Sequence, residues 1–206
     1  MSDALRTALE ARGATFGSGD GGLPTTFGDP VAEFAALARG CAWSFERPAI
    51  VAALGTDVLD LLNRLSTNQV HDLAVGEARP TVLTSPKGRI VARLWCHHLG
   101  KPGVLLLGDT GRAADIVAHL DRYTFAEDTR LSDAGDRFAV FVVRGPRATE
   151  AAAALFDAGP APDATRTDEL AGRPVYVLGH DLLGGQGFTV LARDDDGPAV
   201  LDAVDA

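Results

Sequence analysis

The 206 residues include 19 basic and 28 acidic side chains, a formal net charge of −9, with 46% hydrophobic and 23% charged residues. That composition belongs to a globular chain with a core rather than a disordered one, and the length suits one or two domains. The acidic excess is poor equipment for non-specific nucleic-acid binding, which needs cations against phosphates. No apolar run reaches the roughly 18 residues of a membrane helix. Met1 to Arg12 carries Asp3 and Glu10 and lacks an apolar signal core. Cys41 and Cys96 are too few for a disulfide framework, so the expected home is the cytoplasm.

Gly13 to Leu23 is rich in Gly, Ser and Asp and reads as a flexible connection. Asp29 then suits an N-cap and Pro30 a first helical turn. Val31, Phe34, Ala35, Leu37 and Ala38 follow at helical spacing up to Ala42, which predicts an amphipathic helix. Ala49 to Leu54 reads as a strand, and Thr56 as the cap of a helix carrying Val58, Leu59, Leu61, Leu62 and Leu65. Arg79 to Leu83 and Arg89 to Leu99 read as strands joined by the turn Ser85-Pro86-Lys87-Gly88. Val104 to Leu107 is another strand. A helix starting at Asp109 or Thr110 places Ala113, Ile116, Val117 and Leu120 on one face, and Thr129 to Leu131 closes the set. The order matches a ferredoxin-like split βαβ unit.

The pattern then begins again. Phe138 to Val143 is a strand, and Gly145-Pro146 opens an alanine-rich helix running to Phe156. Pro160 to Glu169 reads as a linker. Val175 to Leu178 and Phe188 to Ala192 are strands with Gly184-Gly185-Gln186-Gly187 between them, and Gly197-Pro198 opens a last helix. RPAIVAALGTDVLDLLNRL in the first copy answers to RFAVFVVRGPRATEAAAALF in the second, and VLLLGDTGRAADIVAHL to FTVLARDDDGPAVLDAV. The expected fold is α+β. Residues 1–46 form an N-terminal segment packing on the second repeat, residues 47–134 the first repeat, and residues 135–206 a second repeat lacking its last strand. A missing strand leaves an unpaired edge. Asp202 and Asp205 fall in the last helical turn, where the dipole disfavours anions. Both features lead to the expectation that a missing C-terminal part or a partner chain completes the fold.

Several motifs in this order resemble the superfamily of the glycine-cleavage aminomethyltransferase (T-protein) and, within it, the YgfZ-type proteins. They are Phe27-Gly28-Asp29-Pro30 with Glu33-Phe34, the helix end Asp60 to Val70 (DLLNRLSTNQV), Lys87-Gly88-Arg89 after Leu83-Thr84-Ser85, and His119 to Tyr123 leading to Asp128. Gly184 to Leu191 is a looser counterpart of a later segment. The resemblance implies two related ferredoxin-like repeats around a folate cavity, with a C-terminal barrel that is absent here, and tetrahydrofolate as the cofactor. A pterin needs apolar walls, a few polar groups at its edge and cations for its glutamate tail. The candidates are Leu65, Thr67, Asn68, Leu83, Ile90 and Leu107 for wall and edge, and Lys87 with Gly88, Arg89 and Arg93 for the tail.

One departure bears on chemistry. Aminomethyltransferases carry a carboxylate pair three and four residues beyond the second glycine of this turn, whereas counting from Gly88 gives Val91 and Ala92. Without a carboxylate, acid–base work at the folate nitrogen is not available there. No catalytic residue is therefore assigned. The leading reading is a folate-binding YgfZ-like protein that assists maturation or repair of iron–sulfur enzymes, with an iron–sulfur client as partner. The alternatives are one half of a tetrahydrofolate-dependent one-carbon transferase or demethylase completed by another chain, and an interaction module that has lost the ligand. Cys96-His97-His98, with His119 nearby, is the one cluster that suggests a metal, but no second ligand pair accompanies it and no metal is assigned. His71 and His180 read as solvated loop residues, and Trp43 and Trp95 as core.

Overall fold

The computed structural model describes residues 1–17, 22–101, 103–108, 112–180 and 186–206. The chain divides into a central unit, Pro48–Gly135 with Asp163–Thr165, and a split unit, Met1–Arg47 with Asp136–Pro162 and Arg166–Ala206.

Helix α1 (Asp3–Glu10) opens the split unit, capped by Ser2, whose Oγ accepts the Leu5 amide. Its Leu5 and Leu9, four residues apart and therefore on one face, are fully buried. A short antiparallel ribbon follows, β1 (Thr15–Phe16) with β2 (Pro24–Thr26). Helix α2 (Pro30–Arg39) starts where the sequence predicts: Asp29 Oδ1 accepts the amides of Val31 and Ala32 at 3.0 and 3.1 Å, and Pro30 fills the first turn. Glu33 Oε1 fixes the approach to the helix, accepting from Thr26 Oγ1 at 2.6 Å and from the Phe27 amide at 2.8 Å. The expected apolar face of α2 is not enclosed, however, and none of its residues is buried. Strand β3 (Ala42–Glu46) completes this segment.

The central unit contains β4 (Ala49–Leu54), α3 (Val58–Leu65), β5 (Ala78–Thr84), β6 (Ile90–His98), β7 (Val104–Gly108), α4 (Ala113–Asp121) and β8 (Arg130–Asp133). The strands form one sheet in the order β5-β6-β7-β4-β8, with every pair antiparallel. Val51, Leu83, Leu94, Cys96 and Leu106 face α3 and α4 and pack with Val58, Leu62, Ile116 and Leu120. Each such leucine contributes on the order of 1.5–3 kcal/mol by leaving water. Asp57, not Thr56, precedes α3, and the Thr56 amide instead binds Asp128 Oδ2 at 3.1 Å. The expected start of α4 at Asp109 or Thr110 lies outside the described residues.

The split unit resumes with β9 (Phe138–Arg144), α5 (Ala148–Leu155), β10 (Thr165–Leu170), β11 (Arg173–Leu178), β12 (Gly187–Arg193) and α6 (Gly197–Asp205). Its sheet runs β10-β11-β12-β9-β3. Replacing β4 by β9, β5–β7 by β10–β12 and β8 by β3 turns one sheet order into the other. The second repeat supplies four of its five strands. The place expected to stand open, and to call for a partner, is taken by β3 from the N-terminal segment, paired from Ala42↔Arg144 to Glu46↔Val140. The stretch read as a linker contains β10, an edge strand whose polar residues alternate around only two buried positions, Thr165 and Leu170. Of the Gly184–Leu191 motif, Gly184 and Gly185 lie outside the described residues, and Gly187 to Leu191 begin β12.

The equivalence extends to the turn between the first strand and the first helix of each repeat. Gly55 and Gly145 occupy it at φ 127° and 128°, a region that disfavours side chains. A Cβ on Gly55 would stand 1.8 Å from the Asp128 carbonyl oxygen, just before β8. One on Gly145 would stand 2.4 Å from that of Gly40, just before β3. The backbone entering β3 thus approaches its repeat as the backbone entering β8 approaches the other.

The acids that looked misplaced at the end of α6 have partners. Arg12 reaches Asp202 at 2.5 Å and Asp205 at 2.8 Å, and Trp43 Nε1 donates to the second oxygen of Asp205 at 2.9 Å. These contacts tie α6 to α1 and β3 and offset the unfavourable end of the dipole.

Two outcomes follow. Gly145→Ala should lower the unfolding free energy by about 3 kcal/mol or more, because φ and the close backbone both oppose a side chain, as a urea titration would register. The second concerns Glu127, whose carboxyl is held down to about 2 by Arg64 and by the amides of Phe125 and Ala126. A carboxyl depressed in the folded state contributes stability above its ordinary value, which is lost as pH falls from about 4.5 towards 2. Urea midpoints measured across that window should fall in the wild type and fall less in Glu127→Gln.

Candidate functional site

The β5–β6 hairpin of the central unit carries most of the sequence-predicted site. Its turn is rigid for local reasons. The Ser85 amide donates to Arg89 O at 2.8 Å, the Gly88 amide to Ser85 O at 2.8 Å, and the Arg89 amide to Ser85 Oγ at 3.1 Å. Gly88 takes φ 70°, the left-handed conformation that this turn requires and that glycine adopts without cost. Lys87, Arg89 and Ile90 stand exposed at the tip. Thr84 pairs with Ile90 but Leu83 pairs with Ala92, so Val91 is an extra residue, a bulge. Val91 is partly exposed there, and Ala92 is buried against the helices. Neither position brings a carboxylate to the hairpin.

The chain leaving α3 runs along the outer edge of β5. Ser66 bridges to Leu83, and the Thr67 amide donates to Val82 O at 3.0 Å. The Asn68 amide donates to Thr81 Oγ1 at 3.2 Å, and its side-chain Nδ2 to Pro80 O at 2.6 Å. Thr67 and Asn68 remain exposed and Leu65 is half-buried. Leu65, Thr67, Asn68 and Leu83 are thus brought together, and the hairpin adds Lys87, Gly88, Arg89 and Ile90.

The remaining two, Arg93 and Leu107, lie on the other face of the sheet. Arg93 is paired opposite Val82, and Leu107 lies between Trp95 and Ile50. Leu83 points the opposite way, into the core under α3 and α4, and is fully buried. Leu83 and Leu107 therefore do not share a wall. Arg79, on β5 and upstream of Lys87, Arg89 and Arg93, is committed elsewhere: it bonds Asp72 at 2.6 Å and holds that carboxyl below its ordinary range.

Cys96, His97 and His98 are separated in role. Burial pushes the Cys96 thiol up to about 12. His97 Nδ1 lies 2.6 Å from Thr165 Oγ1, and His98 Nδ1 lies 2.8 Å from Leu73 O. Among the described residues no three His, Cys, Asp or Glu side chains converge in metal-binding fashion. His71 is exposed, whereas His180, read as a solvated loop residue, is buried. Its backbone carbonyl accepts from Thr189 Oγ1 of β12 at 2.7 Å.

One residue near the hairpin, offered by the sequence only as a metal neighbour and as part of a motif, has a setting the sequence does not reveal. His119 of α4 is buried with its Nε2 unpartnered, edge-on to the Tyr123 ring at 5.5 Å. Burial first, and then Arg122, push its pKa below 6.5, while a bond to the Thr84 backbone acts the other way. The sequence offers His119 as a neighbour of Cys96-His97-His98 and as the start of the His119 to Tyr123 motif; its burial and unpartnered Nε2 come from tertiary packing that spacing does not show.

Comparison with known proteins agrees with this architecture. Residues 48–206 match the family described as the GCVT N-terminal domain. The aminomethyltransferase of Bacillus subtilis (strain 168) is 28% identical over 96% of this chain and 57% of its own length. That of Frankia alni is 30% identical over 73% of this chain and 41% of its own length. The chain spans about half the length of the curated relatives it matches. Among solved structures, the glycine cleavage system aminomethyltransferase T from Bartonella henselae superposes with a TM-score of 0.81 at 17% identity, over 98% of this chain and 56% of that one. A chain of the heterotetrameric sarcosine oxidase from Corynebacterium sp. U-96 superposes with a TM-score of 0.59 at 19% identity, over 84% of this chain and 88% of that one. With three-quarters of its length matched by the family and the fold shared throughout, the chain belongs to the aminomethyltransferase (T-protein) superfamily through its GCVT N-terminal domain.

Proposed function

We propose that this chain binds a reduced folate, tetrahydrofolate or a derivative, and does not itself transfer an aminomethyl group. Within that reading its role is the one its resemblance to YgfZ-type proteins implies, assisting maturation or repair of an iron–sulfur client enzyme. The observation that carries the proposal is the hairpin itself. The chain keeps the Lys87-Gly88-Arg89 turn but sets Val91 in a bulge and buries Ala92, at positions where the family resemblance implies carboxylates in an aminomethyltransferase. Aminomethyl transfer needs a group that manages the proton at the folate nitrogen, and neither side chain can accept or donate one.

The donor set suits a folate. Lys87 and Arg89 stand exposed on a turn whose backbone is fixed by hydrogen bonds, so they can meet the carboxylates of a glutamate tail without reordering the backbone. Arg93 follows on β6, on the face of the sheet turned away from α3 and α4. Thr67 keeps its hydroxyl, and Asn68, with its Nδ2 committed to Pro80, keeps Oδ1 to accept from a ring N–H. Leu65 and Ile90 remain candidates for apolar contact, while Leu107, buried on the other face of the sheet, contributes through packing. Leu83 acts through the core that supports the hairpin.

A second reading has one specific observation behind it. In the heterotetrameric sarcosine oxidase the matching fold is nearly coextensive with a single chain of the assembly. That supports a role as one part of a tetrahydrofolate-dependent one-carbon transferase or demethylase, whose reactive groups come from another chain.

Calorimetric titration of the chain with 5-formyltetrahydrofolate tests the first reading. Saturable binding is expected, weakened about tenfold or more in the Lys87→Ala, Arg89→Ala double variant. Absence of binding by a folded chain would count against folate recognition by these residues. Aminomethyl transfer by the isolated chain would contradict the non-transferase assignment.

A further inference from the structure

Helix α2, PVAEFAALAR, is apolar at all positions except Glu33 and Arg39, yet none of its residues is buried. A helix apolar on every side is ordinarily enclosed by protein. Val31 is 78% exposed and Phe34 70% exposed, and together they form a ridge. Beside the ridge lies a groove of about 1060 Å³, lined by Phe27, Phe34, Leu37, Trp43, Leu155 and Val204. Its walls are held in place before anything enters. Trp43 is tied to Asp205 and packs edge-on to Phe27 at 4.9 Å, and Glu33 anchors the chain leading into the helix.

One surface of the split unit therefore carries both a projecting apolar ridge and an apolar trough. A patch that must meet itself across a two-fold axis needs both features. We propose that α2 and its groove form a homodimer interface, in which a second copy of this chain lays its α2 antiparallel across the first. Phe34 of each copy enters the groove of the other.

Charge supports a second copy as the occupant. Arg39 stands exposed in the last turn of α2 and Asp29 is exposed at its N-cap, so antiparallel helices bring each Arg39 towards the other copy's Asp29 at both ends of the contact. The helix dipoles then oppose favourably as well. Ala32, Ala35, Ala36 and Ala38 leave room for the two backbones to approach. Other exposed apolar residues, such as Phe125 and Val75, do not line this groove and serve as controls.

Sedimentation velocity with light scattering, from about 2 to about 200 µM chain, tests the proposal. The wild type is expected to dimerise with concentration. Phe34→Asp should weaken the dimer at least about tenfold while leaving the far-UV circular dichroism unchanged, and Phe125→Asp should leave the dimer intact. A wild type that stays monomeric over the whole range would overturn the proposal. So would a dimer that Phe34→Asp leaves unchanged, or one that Phe125→Asp weakens as much.

Discussion

The pairing of β3 with β9 is the interaction on which the second sheet depends. Without it β9, the most apolar strand of the split unit, would present an open edge, a known route to non-native pairing. The strand that closes this edge lies about a hundred residues earlier in the chain, yet it arrives with the geometry of the corresponding strand in the first repeat. Gly145 carries the imprint of that arrival: its backbone conformation and the Gly40 carbonyl leave no space for a side chain, as at Gly55 with Asp128. Helix α2 is the lead-in to β3, so its position outside the core follows from the same pairing.

Several consequences meet in the split unit. Trp43 of β3 is bonded to Asp205 of α6, which is bonded to Arg12 beyond α1. The N-terminal segment is thus integral to the unit and not an appendage to it. The second repeat takes its fifth strand, part of its helical cover and one wall of its groove from the first 47 residues. The central unit has its own strand and helix for each of these positions, which is why its boundaries read so simply from the sequence.

Legibility followed the range of the interactions that fix each element. Helices α3 and α5 and strands β4, β7, β9 and β12 are set by local periodicity and turn residues, and the repeat could be read from them. Strand β3 could not, because its five residues gain their meaning from partners near residue 142. Strand β10 was read as linker because arginine, aspartate and glutamate occupy an edge position where half the side chains face water. Helix α2 was expected to bury its apolar face, and spacing alone does not reveal that no neighbour covers it. At the hairpin, the Lys87-Gly88 turn and the missing carboxylates were readable as residue types. The opposed faces of Leu83 and Leu107 were not, since strand parity depends on a register set by β6 and β7 and on the bulge at Val91.

Closure of the second sheet rests on β3. Hydrogen–deuterium exchange resolved to Ala42–Glu46, in the native chain without denaturant, tests it most directly. Slow exchange of alternate amides there, in the same class as the amides of β8 in the first repeat, is the expected result. Exchange of 42–46 at the rate of an unstructured segment, while β9 and β12 stay protected, would contradict the shared architecture of the two repeats.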